Sequence, residues 1–596
     1  VAQAEMEDRE MPAAFHHIRF GVKDSSENFI IATTRPELLP ACVGVAAHPE
    51  DARYQHLFGK FAITPLFKAP VPIFASPLAN PEKGTGIVMI CTFGDQTDVI
   101  WWREQNLPTK QIIDRVGRFQ EVNFGNTPFD SLDPTMANQF YSEILGKNVK
   151  QAQAKMVELL RNPLGSIDGL HPSLVEDPKP IQHAVKFYEK GERPLELVPT
   201  RQWFVKLLDK KEQLLEKSRQ IQFHPAFMSH RLEDWINNLN QDWCISRQRY
   251  FGVPFPVWYR TNSKGEIDYN QVLLPNLDQL PVDPMSDCPV GFQESQRKQP
   301  NGFAGEADVF DTWFTSSMSP QIGSHWALNN DRHQQLFPAD IRPQSHEIIR
   351  TWAFYTIAKA LLHENKIPWK NVVISGWVLS ADRQKLSKSK GNAITEPNEL
   401  IAHYSADAVR YWSANARLGV DTAFDENVMK IGKRLVTKLY NASKFTLSHP
   451  AQDSSITNLL DLSFLEHLQK LISNSSHAFE EMNFSSSLMQ TESFFWQKYT
   501  DTYIEIVKSR AQGRDGFTSA DQASAVLSLR CGLQVLLKLF APFLPFITEE
   551  IWSYVFQEES GIKSIHQSSW PKKSDLPYQG GNEKYLSLIH ISEPTR

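Results

Sequence analysis

Short runs of β-branched and aromatic residues, cut by Pro, Gly and Asp, fill the chain from Phe20 to about Pro108. Residues 28–34 and 86–92 are such runs and predict strands. From Arg201 to Asp425 strand-like stretches, notably 371–378, alternate with helical ones such as 346–363, which predicts a sheet with crossover helices. Beyond Asn427 the period turns helical. Ile431, Leu435 and Leu439 share one stripe while Lys430, Lys433, Arg434 and Lys438 lie largely off it, so an all-α region follows. Its helix through Leu533, Leu536, Leu537 and Phe540 meets Pro542 and Pro545, which end or kink it before a helix resumes at Thr548, Glu549 and Glu550.

A chain of 596 residues is too long for one core and divides into roughly three or four units. The pattern sets these at 1–195 (β-rich), 196–428 (α/β), 429–580 (all-α) and a tail, 581–596, of no assigned character. The fold class is therefore multidomain α/β. No apolar run approaches the ~20 residues of a bilayer span, and the polar, acidic residues 1–12 do not make a signal peptide, so no membrane is expected and the setting is cytoplasmic. The five cysteines are far apart and form no CxxC pair, which predicts reduced, mostly buried thiols. A net charge of −6 excludes a uniformly basic nucleic-acid protein but allows basic patches on an acidic body.

Two stretches carry candidate chemistry. Lys385-Leu386-Ser387-Lys388-Ser389-Lys390-Gly391-Asn392 is a basic, hydroxyl-rich loop just after an apolar strand. Ligands of doubly wound sheets bind beyond the carboxyl ends of strands, where ammonium groups on a Gly-hinged loop can follow charge building on a departing pyrophosphate. The same loop also reads as a solvated lysine-rich turn. His346-Glu347-Ile348-Ile349-Arg350 begins like HExxH, but Arg350 replaces the second histidine, so no metal site is expected. Glu347 then stands as an acid at a helix start, where the helix dipole alone would favour it.

The basic loop resembles the KMSKS signature of class I aminoacyl-tRNA synthetases, with Leu386 at the Met position. Asp242-Trp243-Cys244-Ile245-Ser246-Arg247-Gln248, then Gly252 and Pro254, resembles a segment shared by the valine, isoleucine and leucine enzymes. Asp311-Thr312-Trp313-Phe314-Thr315-Ser316-Ser317 resembles the valine version, with isoleucine the runner-up. Leu273-Leu274-Pro275 and residues 278–284 extend the likeness, which reaches about Pro571. The resemblance implies an ATP-dependent ligase acting with Mg2+ on valine and the valine-accepting tRNA, without an evident protein partner. Lys385 and Lys388 would be catalytic; Lys388, Ser387, Ser389 and Glu347 would bind ATP, with Glu347 on the ribose. Trp313 and Ile348 would line the amino-acid pocket, since a branched apolar substrate needs an apolar wall, although both read equally as core.

Ala32-Thr33-Thr34-Arg35-Pro36-Glu37, with Gly84-Thr85-Gly86 and Gly94-Asp95-Gln96-Thr97-Asp98, resembles the family's editing domain, which hydrolyses mischarged tRNA. Enzymes of this type are themselves the well-known instance of the chemical need: a valine pocket rejects threonine by only about 10²-fold, so a hydrolytic site must do the rest. Asp98 would hold the substrate ammonium, Thr33, Thr34 and Arg35 would bind the hydroxyl or the terminal adenosine, and Asp95 would belong to the same editing site; Leu38 and Cys91 stand where many family members carry threonine. As isolated residues these read as turn and cap chemistry, with Asp98 capping the helix through Trp101. Arg434 and Lys438 lie on the helix that resembles the start of the anticodon-binding domain, and would meet tRNA phosphates.

The domains implied are a β-rich editing domain, the carboxyl-side half of a Rossmann-like catalytic domain and an all-α anticodon-binding bundle. No HIGH tetrapeptide occurs: His16-His17-Ile18-Arg19-Phe20-Gly21 lacks its Gly-His ending and reads as a strand, so the sequence is expected to start within the editing insertion. Residues 585–596 match no family segment. A stand-alone aminoacyl-tRNA deacylase and a non-catalytic tRNA-binding protein are the alternatives from other classes; the ATP loop weighs against both.

Overall fold

Alternating apolar positions make residues 16–22 the second half of a long strand, β1 (Met6–Val22), which buries Ile18 and Phe20 completely. With β2 (Asn28–Thr33), β3 (Cys42–Ala47), β4 (Phe61–Ile63), β5 (Pro70–Ala75), β6 (Ile87–Cys91) and β7 (Lys179–Tyr188) it forms a seven-stranded sheet in the order β2-β1-β4-β5-β3-β6, with β7 also paired to β1. The His16-His17 stretch lies on this strand, as read from sequence. β3 is buried along its whole length because both faces are covered. One face joins a core with Ile18, Phe20 and Leu66; the other packs Val43 and Ala46 with Trp101 of α1 (Gln96–Glu104). α2 (Pro134–Ser142) and α3 (Val149–Arg161) add Phe140, Met156 and Leu160 to the first of these cores.

These elements belong to one of two compact units of the computed structural model: Val1–Val205 with Trp243–Ser246, and Lys206–Asp242 with Arg247–Arg596. The structure describes residues 5–188, 191–384, 386, 396–514 and 516–577. Lys385, Ser387, Lys388 and Ser389 therefore lie outside the described residues, as does the tail beyond 577.

The second unit opens with a parallel three-stranded sheet in which Trp369–Ser375 lies between Ala339–Ser345 and Gln222–His224. The predicted helix over 346–363 is more irregular than its periodicity implied. Ser345 caps a single 3-10 turn at His346–Ile348, a π-helical stretch follows at Ile349–Ala353, and the α-helix runs only over Phe354–Glu364. Across this widened turn the Trp352 indole donates to the Ser316 carbonyl at 3.1 Å, tying the turn to the short helix Thr312–Ser316.

From Glu426 to Ser560 this unit is helical, as expected. Glu426–Leu447, Leu459–Glu480, Phe484–Ser493, Ser519–Phe540 and Pro545–Tyr554 enclose one core rich in Leu, Phe, Tyr and Trp. Its first helix corrects the predicted stripe. Met429, Gly432, Leu435 and Leu439 face inward while Ile431 is exposed, because Gly432 leaves room for the Tyr411 ring, 2.8 Å from where a Cβ would stand. The chain resumes after Pro542 at Pro545 rather than Thr548, with proline in the first turn, where its missing N–H costs nothing. Ser519–Phe540 has the length and apolarity of a membrane span, with mean hydropathy 1.5, yet it is the buried central helix of the bundle.

Candidate functional sites

In the first unit the two motifs separated by about fifty positions meet. β2 ends at Thr33, whose hydroxyl accepts from the Arg35 amide at 3.0 Å, and the Thr34 carbonyl is held by the Gln153 side chain at 3.1 Å. The Arg35 guanidinium bonds Glu37 and Glu196, each at 2.8 Å. Burial works against its charge, but these two carboxylates outweigh that and hold it protonated beyond the usual arginine range. The Thr85 hydroxyl receives the Ala32 amide at 3.2 Å, and Gly84, at φ +61, sits where a Cβ would press on Ala32 at 3.0 Å. A side chain at Gly84 would push these motifs apart.

Asp95 and Asp98 divide the work at the start of α1. Asp95 is the N-cap, its Oδ1 accepting from the Thr97 and Asp98 amides at 2.7 and 3.0 Å. Asp98, read from sequence as the possible cap, is instead buried at 6% exposure beneath the end of β6. Its Oδ2 accepts from Gly94 N at 2.8 Å and Cys91 N at 3.3 Å. A Cβ at Gly94 would lie 2.8 Å from that oxygen and 3.4 Å from Leu38 Cδ1, so Leu38 borders the same spot. Burial, reinforced by the charge of Asp95 and only partly offset by the two amides, pushes the Asp98 carboxyl up to about 8. Among the described residues it has no ion-pair partner. Nearby, Lys110 donates to the Cys42 carbonyl at 2.9 Å, and burial pushes the Cys42 thiol up to about 12. These groups come from several separate segments; Glu37 closes the motif at 32–37, whereas Glu196, Gln153 and Lys110 carried no sequence signal.

In the second unit the carboxyl ends of two parallel strands place a second cluster. The Glu347 carboxylate accepts from the Trp377 indole N–H at 2.6 Å. The backbone N–H of Trp377 donates to Asp421 Oδ1 at 2.8 Å, and His346 Nε2 meets the same oxygen at 3.2 Å. The Trp377 amide, then His346, hold the Asp421 carboxyl below its usual range. Gly376 makes this possible, since a Cβ there would strike the Val420 carbonyl at 2.2 Å. Trp313 lies on Thr312–Ser316, and Ile348 ends the 3-10 turn His346–Ile348; both are half-buried. Arg247 and Asp311 pair at 3.3 Å, joining two motifs that the sequence singled out.

On the helix Glu426–Leu447, Lys430, Lys433 and Arg434 line a groove of about 290 Å³ with His403, Tyr404 and Thr437. Lys438 points elsewhere, 3.5 Å from Asp501 and 5.4 Å over the Trp496 ring.

A parallel sheet bearing a carboxylate at its strand ends, followed by a helical bundle, suits a nucleotide-dependent ligase, and comparison with known proteins agrees. Residues 1–425 match the family described as tRNA synthetases class I (I, L, M and V), and residues 461–592 match the anticodon-binding domain of tRNA ligase. A valine–tRNA ligase of Thermobifida fusca is 47% identical over 97% of this chain and 64% of its own length. That of Rickettsia rickettsii is 44% identical over 99% of this chain and 70% of its own. A solved LeuRS–tRNA–LeuAMS complex from Agrobacterium radiobacter K84 aligns at 18% identity and TM-score 0.45, covering 95% of this chain and 63% of that one. The chain belongs to the class I tRNA synthetases, and within them to the valine–tRNA ligase family. It spans about two thirds of the length of these curated relatives.

Proposed function

We propose that the protein joins valine to its tRNA. The valine carboxylate attacks the α-phosphorus of MgATP and pyrophosphate leaves; a terminal hydroxyl of tRNA then attacks the aminoacyl carbonyl and AMP leaves. The observation that carries this reading is the 47% identity to a valine–tRNA ligase along nearly the whole chain. Glu347 binds the ATP ribose, Trp313 and Ile348 wall the valine side chain, and Lys385, Ser387, Lys388 and Ser389 serve the phosphates with Mg2+. Lys388 and Lys385 act on charge that builds in the transition state. Arg434 meets tRNA phosphate from the basic groove, with Lys438 along the same helix. The setting is the cytoplasm, where tRNA is charged.

The first unit removes threonine from mischarged tRNA. Support comes from Asp98, a buried carboxyl whose bonds among the described residues are to backbone amides, and which an arriving substrate ammonium would complete. Thr33, Thr34 and Arg35 stand at and just beyond the end of β2, and Asp95 caps the helix that carries Asp98. Charging assays on the full-length gene product test the first reading. Valyl-tRNA formation and valine-dependent ATP–pyrophosphate exchange are expected; isoleucine used in preference, or neither amino acid, overturns it. Hydrolysis of preformed threonyl-tRNA tests the second, and its absence in a protein that charges valine overturns it.

A further inference from the structure

The Glu347 carboxylate is exposed, on a single 3-10 turn, and a glutamate side chain there has several torsions to lose before it can grip a substrate. Three features remove that freedom. The Trp377 indole N–H holds Oε2 at 2.6 Å. The Trp377 ring packs on His346 with centroids 4.8 Å apart. Asp421 Oδ1 takes both the Trp377 backbone N–H and His346 Nε2, closing a ring of four residues. Two of them precede the helix at 354–364, one follows the strand Trp369–Ser375, and Asp421 is anchored by the close passage of Gly376 against Val420.

We propose that Trp377 is a positioning residue that aims Glu347 at the ribose hydroxyls of ATP, and that Asp421 holds Trp377 in place to do so. The inference rests on the reading of Glu347 as the ribose-binding acid. Trp377 touches the carboxylate, so its influence is on the geometry of the acceptor. A carboxylate presents about four lone-pair directions, so an indole on one oxygen leaves the group able to accept from a hydroxyl.

The test compares kcat/KM for ATP with that for 2′-deoxy-ATP and 3′-deoxy-ATP in valine-dependent pyrophosphate exchange by the full-length protein. The wild type should favour ATP over one analogue by roughly tenfold or more, the scale of a hydrogen bond to a charged group. Glu347→Gln should shrink that preference, and Trp377→Phe, which keeps a ring and loses the N–H, should shrink it to a similar extent. Asp421→Ala should do the same and serves if the first variant folds poorly. A purely structural role would lower turnover of ATP and analogue alike, so an unchanged preference in Trp377→Phe beside a reduced one in Glu347→Gln overturns the proposal. An unchanged preference in Glu347→Gln instead overturns the ribose reading beneath it.

Discussion

Asp98 and Asp461 are both buried aspartates, and their surroundings differ in one respect. Asp461, in the helical bundle, is fully buried, yet Arg510 grips it through both nitrogens at 2.6 and 2.8 Å, Tyr503 donates at 2.6 Å and Ser524 at 2.6 Å. The Oδ2 of Asp98 receives two amides, and its carboxyl is pushed up to about 8. A buried charge with a complete set of partners is structural; one that lacks a cation is poised for an external one. Burial alone does not separate the two roles. The identity of the partners does.

The largest effect should come from breaking the complete cluster. Asp461→Ala leaves the Arg510 guanidinium buried without its carboxylate and should cost about 3–5 kcal/mol of stability. Urea unfolding followed by circular dichroism reads this directly, and a cost under about 1 kcal/mol would remove Asp461 as the hub of the bundle.

Asp98→Asn should behave in the opposite way. The amide oxygen can still accept from Gly94 and Cys91, so the variant should still fold, whereas hydrolysis of threonyl-tRNA should lose about 2–5 kcal/mol of transition-state stabilisation. Valine activation should persist. Deacylation at the wild-type rate would show that the ammonium binds elsewhere.

The same contrast gives a pH signature. Because the folded state holds the Asp98 proton more tightly than the unfolded chain, whose ordinary value is 3.8, folding gains from that proton at low pH and loses the gain as pH rises towards about 8. The stability of Asp98→Asn relative to wild type should therefore climb across that window and level off above it. If the anion is the active form, kcat/KM for deacylation should rise with pH through the same region. A stability difference that stays flat with pH would contradict the burial argument.

The smallest effect lies at the exposed extreme. Asp340 pairs with Lys370 at 2.8 Å, but their side chains are 82% and 60% exposed. Water screens such a pair, and Asp340→Ala should move stability by no more than about 0.5 kcal/mol. A larger loss in the same urea titration would mean that exposure is a poor guide in this series.

Much of this architecture was legible beforehand. The period-2 runs became β2 and β6 within about a residue of their predicted limits, and the helical period beyond Asn427 became the bundle. The motif residues at 32–37 and 94–98 were recognisable by resemblance. Their division of labour was not, because Asp95 and Asp98 are equally good caps on paper. The π-helical stretch at 349–353 also escaped, since its residues fit an α-helical period.

Sequence by itself determined the periodicities, the prolines that follow the end of the helix Ser519–Phe540, the glycine at Gly84 and the family resemblance. Each is a local property: a backbone angle, a missing donor or a face of a strand is set within a few residues. Tertiary structure alone decided that Asp98 is desolvated, that Trp377 finds Glu347 and that Asp461 finds Arg510. Desolvation and charge pairing depend on which distant segments cover a group, and partners 30 or 49 positions away are chosen by the packing of whole elements.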